Sequence, residues 1–149
     1  ITVNPHETAV CGCGKRGCLE QYSSATGVVR CMKKLLDANP GTACTLRGKN
    51  VEAKDVFDAA RAGDALAARV VDEMASTLGM ALANIAATPD PEMFMIGGGV
   101  ARAGEILFNP LVRHYKEYAF QSCKETPIKA ASLGNDAGIY GAVRLIVGA

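Results

Sequence analysis

Three cysteines and one carboxylate near the start of the chain are the residues whose types and spacing best suit chemistry. The run CGCGKRGCLE holds Cys11, Cys13 and Cys18 and ends on Glu20. A disulfide between Cys11 and Cys13 would be strained, because a single residue separates them. Three thiolates in one glycine-rich turn can instead converge on a Zn²⁺ ion, which takes four ligands in a tetrahedron. The spacing therefore predicts a structural zinc site, with three buried or incidental thiols as the alternative.

Two further side chains bear on the fourth ligand of this site and on its purpose. His6 is the nearest histidine in the chain, and four residues separate it from Cys11. Glu20 follows the turn directly, so a metal-fixed turn would make its carboxylate a rigid acceptor for hydroxyl donors. The alternative for Glu20 is a solvated or helix-capping carboxylate.

A second candidate site lies at three consecutive glycines. Gly97, Gly98 and Gly99 follow the apolar run at residues 93–96. A glycine turn after a strand lets backbone N–H groups approach a phosphate or a nucleoside, and the N-terminus of a following helix would help. The alternative is a tight turn between a strand and a helix, without a ligand.

Hydrophobic spacing predicts the elements that position these residues. In the first half, apolar residues at intervals of three or four predict helices over residues 21–36, 51–61 and 66–85, and Asp64 is the expected N-cap of the third. Residues 1–3 are β-prone and predict the end of a strand.

The second half of the chain has the pattern of a βαβα unit. The predicted order is a buried parallel strand, a helix, a second strand and an alanine-rich helix that packs on the sheet: residues 93–96, 103–120, 128–133 and 137–147. Pro110 should break or kink the first of these helices. Ligands of such sheets bind beyond the carboxyl ends of the strands, where the three glycines lie.

Composition excludes several classes of protein. The 149 residues suffice for one domain, and the net charge of +1 argues against a nucleic-acid partner. No apolar run approaches the ~20 residues of a membrane span. Cys31, Cys44 and Cys123 are scattered, which favours a reduced, cytoplasmic protein over a disulfide scaffold. We expect a single domain, residues 1–149, with three parts: a zinc loop at 6–20, a helical region at 21–87 and the βαβα unit at 92–148.

Three motifs, in this order, resemble signatures of the ROK family of sugar kinases and repressors. The first is the pattern CxCGxxGCxE at residues 11–20, and its continuation at residues 21–27 is similar to the bacterial glucokinase branch. The second, at residues 91–100, resembles the adenosine-side motif of the family. The third, at residues 133–142, resembles its C-terminal motif.

The resemblance implies a fold, an activity and a set of site residues. The fold is α/β, the helix-rich C-terminal lobe of an actin-like or hexokinase-type (ribonuclease H-like) protein, with few strands in this part. The activity is phosphoryl transfer from ATP to the 6-hydroxyl of glucose, with Mg²⁺. Carried over by position, it implies zinc ligands, a sugar-binding carboxylate and a nucleotide-binding turn: Cys11, Cys13 and Cys18, then Glu20, then Gly97, Gly98 and Gly99.

The chain also departs from the family pattern. The first lobe of the family carries an Asp-x-Gly-Gly-Thr phosphate loop and a general-base aspartate, and this chain holds neither. The family's zinc histidine would fall just before Ile1, so His6 is not its equivalent. We therefore expect the C-terminal half of a glucokinase, without a catalytic residue, that binds a hexose and ATP and self-associates. The alternative is the sugar-sensing half of a ROK transcriptional repressor.

Overall fold

A computed structural model of the chain describes residues 1–148, apart from the side chain of Asn135. Within this range the chain forms helices around one core and a two-stranded sheet. The elements are α1 (Glu20–Ser23), α2 (Ala25–Ala38), α3 (Ala53–Arg61), α4 (Ala65–Ala86), β1 (Phe94–Ile96), α5 (Glu105–Tyr118), β2 (Ile128–Ala130) and α6 (Ala137–Val147). In residues 1–148, no helix combines the length and the apolar character that crossing a membrane requires.

The core is built around α4, the longest helix. Asp64 caps it as predicted, because its carboxylate accepts hydrogen bonds from the backbone N–H groups of Leu66 and Ala67 at 3.1 and 3.2 Å. Apolar residues then recur every three or four positions and face α2, α3 and α5. This is the longest stretch of helical periodicity in the sequence, and the structure confirms the helix.

Of the two outcomes predicted at Pro110, a break or a kink, the break does not occur, because α5 runs through this residue. Pro110 lacks the N–H of a regular helical hydrogen bond, which costs about 3 kcal/mol in a helix interior. Leu107, Leu111 and Tyr115 recur every fourth residue and are fully buried against the core. Each such burial stabilises the fold by about 1.5–3 kcal/mol, so tertiary packing outweighs the proline.

The sheet is parallel as predicted but is not buried. Phe94 pairs with Ile128 and Ile96 with Ala130. Phe94 packs edge-to-face on Tyr115 of α5, with 6.0 Å between ring centroids. Successive strand residues face opposite sides, and Met95 on the other side is 54% exposed. The prediction of a buried strand was wrong because α5 covers only one face of these two strands.

The last helix, α6, begins and ends where the sequence predicted, but it does not pack on the sheet. None of its described side chains is buried. Leu145 and Ile146 are 88% and 86% exposed, although they are strongly apolar. Its main contacts are with the 3₁₀ turn Gly134–Asp136 that precedes it, so no other apolar layer within residues 1–148 covers its side chains.

Two predictions for the first part of the chain need correction. The helix predicted over residues 21–36 is two helices, because Ser24 is extended (φ −89°, ψ 168°) and its hydroxyl caps α2 by accepting from the N–H of Gly27. The β-prone residues 1–3 form a single bridge, from Thr2 to Cys18, rather than a strand. That bridge ties the start of the chain to the cysteine turn.

Candidate functional site

The cysteine turn folds back on itself and brings its three thiols together. Val10 bridges Arg16, and the N–H of Cys11 donates to the carbonyl of Lys15 at 2.7 Å. The three sulfur atoms, from Cys11, Cys13 and Cys18, all lie within 4.8 Å of one another. The turn predicted from spacing alone therefore has the geometry of a metal-binding cluster.

Gly17 is the position in this turn that only glycine can occupy. Its φ is +67°, and a Cβ there would lie 1.7 Å from the carbonyl oxygen of Asn4. The close approach lets the carbonyl of Gly17 accept from the N–H groups of Val3 and Asn4 at 2.7 and 3.1 Å. These bonds hold the opening segment against the turn.

The three thiols form a donor set that suits Zn²⁺. A hydrogen bond from the backbone N–H of Lys15, followed by those from Cys18 and Cys11, lowers the pKa of Cys13. The backbone N–H of Cys13 lowers the pKa of Cys11, but the hydrogen bond to Glu20 and burial outweigh it and raise that pKa to about 11. A bound cation would deprotonate the cluster, because the thiolate is the form that ligates.

A fourth ligand is absent from the part of the chain that the structure describes. No histidine, aspartate, glutamate or other cysteine in residues 1–148 joins the cluster. His6 is exposed, and its backbone N–H donates to the side chain of Asn4 at 3.0 Å. The three cysteines fit a zinc ion as three of its four ligands, and His6 is not the fourth.

Glu20 connects the cysteine turn to a cleft. It is the first residue of α1, and its carboxylate accepts a hydrogen bond from the thiol of Cys11 at 3.3 Å. It lines a cleft of about 420 Å³, and Gly97, Gly98 and Gly99 line the same cleft. The structure thus brings the cysteine turn and the adjacent Glu20 together with a glycine turn that lies far away in the sequence.

The glycine turn does not lead directly into an α-helix. Gly98 has φ +82°, and a short 3₁₀ segment, Gly99–Ala103, follows. Gly104 has φ +67°, which is not helical, so α5 begins only at Glu105. The prediction that the N-terminus of an α-helix helps this turn to bind a phosphate or a nucleoside was therefore wrong. What the turn offers is exposed backbone at the end of β1.

Sequence reasoning missed a second cavity that begins at the glycine turn. It has a volume of about 760 Å³ and lies between α2, α3 and the 3₁₀ segment, and Gly99 borders both this cavity and the cleft. Phe57 and Val29 give it an apolar wall, and Arg61 lies at its edge. The helical spacing of Phe57 and Val29 indicates core residues, so no signal in the sequence placed them at a cavity.

Residues 1–148 match the ROK family. The chain belongs to the ROK family. The resemblance of its three motifs is thereby confirmed, and so is the predicted fold class, the helix-rich part of an actin-like or hexokinase-type fold with a small sheet. The roles of the cysteines, of Glu20 and of the glycine turn stay predictions.

Glucokinases are among the relatives of this ROK chain. It is 43% identical to a glucokinase from Halalkalibacterium halodurans over 145 residues, covering 95% of this chain and 44% of the relative. A crystal structure of a ROK family glucokinase from Streptomyces griseus, in complex with glucose and AMPPNP, matches with a TM-score of 0.84 at 35% identity. The match covers 97% of this chain and 49% of the glucokinase chain. The chain spans about half the length of these relatives.

A transcriptional regulator is also structurally similar. This ROK family protein, a homologue of the E. coli MLC protein, has a TM-score of 0.73 at 26% identity. The match covers 87% of this chain and 33% of the regulator. Identity, TM-score and coverage are all lower than for the glucokinase.

A buried carboxylate anchors the cysteine turn of this ROK chain to α2. Glu7 is 9% exposed, and it accepts from the N–H of Ala9 at 3.0 Å and from the hydroxyl of Tyr22 at 2.8 Å. Arg30 and Lys34 of α2 form ion pairs with it. The hydrogen bonds from Ala9 and Tyr22, then the two cations, outweigh burial and lower the pKa of Glu7 to about 2.

This carboxylate should make the fold sensitive to acid. A carboxyl whose pKa falls from 4.5 to about 2 on folding stabilises the folded chain above pH 4.5, and that contribution disappears as the pH falls toward 2. It amounts to about 3 kcal/mol. We expect the free energy of unfolding, measured by urea denaturation, to fall less steeply between pH 5 and pH 2 in Glu7→Gln than in the unsubstituted chain. The exposed control Glu92→Gln should leave it unchanged, and an unaltered Glu7→Gln profile would contradict the prediction.

Proposed function

We propose that this chain is the sugar- and nucleotide-binding half of an ATP-dependent glucokinase, which transfers the γ-phosphoryl group to the 6-hydroxyl of glucose. One observation carries the proposal: Glu20 and the glycine turn line one cleft, and the glycine turn also borders the larger apolar cavity. A phosphoryl acceptor and a nucleotide need such adjoining sites. The similarity to a glucokinase solved with glucose and AMPPNP supports the same arrangement.

Glu20 is the proposed sugar ligand. A carboxylate accepts hydrogen bonds from hydroxyl groups and cannot donate any, which suits a polyhydroxylated substrate. It stands at the start of α1 and bonds directly to the cysteine turn through Cys11. The cleft of about 420 Å³ lies within the range of roughly 300–1,000 Å³ that is typical of small-molecule sites.

The glycine turn and the larger cavity are the proposed nucleotide site. Gly97, Gly98 and Gly99 leave backbone groups accessible at the end of β1, where ligands of parallel sheets bind. The cavity beyond Gly99 is lined by Phe57 and Val29, so an aromatic base can enter it. A nucleotide there would direct its phosphates toward Glu20 and the sugar, with Mg²⁺ held mainly by the phosphates.

Zinc is the proposed structural metal, held by Cys11, Cys13 and Cys18. A thiolate-rich site cross-links its loop and does not activate water. The residues of this chain then act by positioning, because they hold the sugar and the nucleotide in contact. Phosphoryl transfer depends mostly on positioning and charge stabilisation, with a base to orient the hydroxyl. That base lies in the other half of the ROK kinases, so we assign no catalytic residue here.

The test of this proposal is Glu20→Gln in the gene product that carries this chain together with the other half. Loss of a hydrogen bond to a charged acceptor costs about 1.5–3 kcal/mol, so kcat/KM for glucose should fall about 10- to 150-fold. The KM for ATP should stay nearly unchanged. The exposed control Glu125→Gln should behave as the unsubstituted enzyme. Unchanged kinetics for glucose in Glu20→Gln would remove Glu20 from the site.

The ROK regulator offers the second candidate function, a sugar-sensing half without phosphoryl transfer. The same Glu20 cleft would then bind the effector. A winged helix-turn-helix upstream of this chain would indicate the regulator, and an Asp-x-Gly-Gly-Thr loop would indicate the kinase. The higher identity and coverage of the glucokinases favour the kinase, and a cytoplasmic location stays a prediction for either.

We also propose that the isolated chain self-associates through α6 and the open face of the sheet. Ile139, Leu145 and Ile146 on α6 and Met95 on β1 are exposed apolar side chains. Burial of such apolar side chains against a second copy of the chain is favourable in water. Sedimentation equilibrium should show a mass that rises with concentration, and Ile146→Lys should reduce it. A monomer at every concentration would contradict the proposal.

A further inference from the structure

Glu7 and Gln21 are the buried polar side chains of the described residues, and both contact the segment that leads into the cysteine turn. They are 9% and 8% exposed. Burying a polar group costs free energy unless the group finds new hydrogen-bond partners. Two buried polar side chains that are both hydrogen-bonded at one place therefore indicate a specific structural role. Their contacts show what that role is.

Gln21 spans the two ends of the cysteine turn. Its Nε2 donates to the carbonyl of Ala9 at 3.0 Å, and its Oε1 accepts from the N–H of Cys18 at 3.1 Å. One side chain therefore sets the distance between the segment before Cys11 and the last thiol of the cluster. Gln21 lies in α1, directly after Glu20, so the same contacts fix the helix that carries the proposed sugar ligand.

Glu7 holds the same segment from the other side. Its Oε1 accepts from the N–H of Ala9, while Gln21 binds the carbonyl of Ala9, so both backbone groups of that residue are held by buried side chains. Its Oε2 accepts from the hydroxyl of Tyr22 and pairs with Arg30. The turn is thus clamped to α1 and α2 by bonds that involve neither a thiol nor a metal.

We propose that Gln21 and Glu7 are positioning residues, which hold the cysteine turn in its ligating shape before a metal binds and keep Glu20 aimed at the cleft. The inference rests on the proposed zinc site and sugar ligand, and it identifies the residues that hold them in place. A metal site that is already formed binds without first ordering its loop. Outer partners that orient the ligands of a metal typically account for 10- to 100-fold in affinity.

The variant Gln21→Met tests this inference in the 149-residue chain. Methionine keeps the length of the side chain and removes both hydrogen bonds. Cobalt(II) serves as the probe, because its thiolate complexes absorb light and report both affinity and geometry. We expect Gln21→Met to bind cobalt about 10- to 100-fold more weakly than the unsubstituted chain. The matched control Gln121→Met changes an exposed glutamine of the segment Gln121–Cys123 and should bind as tightly as the unsubstituted chain.

A second measurement needs no metal. The N–H of Cys18 donates to Gln21, so its hydrogen exchange in the metal-free chain should accelerate at least tenfold in Gln21→Met. Gln21→Glu keeps that acceptor, loses the donor to Ala9 and should retain the protection, which guards against a variant that fails to fold. Equal cobalt affinity together with unchanged exchange in Gln21→Met would overturn the inference. If the unsubstituted chain bound no cobalt, the zinc proposal would fail, and the exchange rates would still decide whether Gln21 holds the turn.

Discussion

The 149-residue chain by itself should show no ATP-dependent phosphorylation of glucose. The chain supplies the proposed sugar ligand and nucleotide turn but neither the phosphate loop nor the general base of the ROK kinases. A general base is often worth about 10²–10⁴-fold in rate, and loss of phosphate positioning adds to that. A coupled assay that follows glucose 6-phosphate formation should give the background rate. Glucose phosphorylation above background by the purified chain would contradict this expectation.

The control for this experiment is the gene product that joins this chain to the other half, which should be active in the same assay. Isothermal titration separates binding from turnover in the isolated chain. The cleft at Glu20 and the cavity at Gly99 are formed within residues 1–148, so weak binding of nucleotide or glucose can persist where turnover is absent. Activity would then depend on bringing the two halves together around the bound substrates.

Loss of one thiol from the cysteine turn is the second large effect that we expect. Cys13 is exposed, so Cys13→Ser changes the proposed metal site without making a cavity in the core. Structural zinc contributes about 10–16 kcal/mol of apparent binding free energy in small zinc-dependent folds. Replacing one of three thiolates by a weakly ligating hydroxyl should weaken zinc binding by more than about 100-fold. Elemental analysis of freshly purified, unchelated protein should find bound zinc in the unsubstituted chain and none in Cys13→Ser.

The matched control is Cys44→Ser, which changes a thiol outside the cluster and should retain zinc. Zinc retained in Cys13→Ser would remove Cys13 from the ligand set. The consequence of metal loss should appear at Glu20, because the thiol of Cys11 bonds to its carboxylate. In the gene product that joins this chain to the other half, Cys13→Ser should therefore raise the KM for glucose more than the KM for ATP.

Local patterns predicted the helices and the family because their signals lie within a few residues. The helical period from Leu66 to Ile85 and the N-cap at Asp64 identify α4 without knowledge of any partner. The spacing of Cys11, Cys13 and Cys18 within a glycine-rich turn predicts convergence of the thiols, and the structure brings them within 4.8 Å. In each case the residues that decide the geometry are neighbours along the chain.

Predictions failed where contacts between distant segments decided the outcome. A break at Pro110 was one of the two expected outcomes, and it does not occur because Leu107, Leu111 and Tyr115 are packed against the core. The strand around Met95 looked buried because an apolar run carries no information on whether a second layer covers it. The glycine turn does not meet a helix N-terminus, because the positive φ at Gly104 delays the start of α5.

The sequence by itself determined the ROK family, the long amphipathic helix and the three thiols of the turn, since motif spacing and hydrophobic period are local properties. Only the tertiary structure placed Glu20 in one cleft with Gly97–Gly99, opened the cavity beyond Gly99 and left α6 exposed. It also showed Glu7 and Gln21 holding Ala9 from both sides. The physical reason is that burial and hydrogen bonding between segments depend on how the helices pack, which no short stretch of sequence encodes.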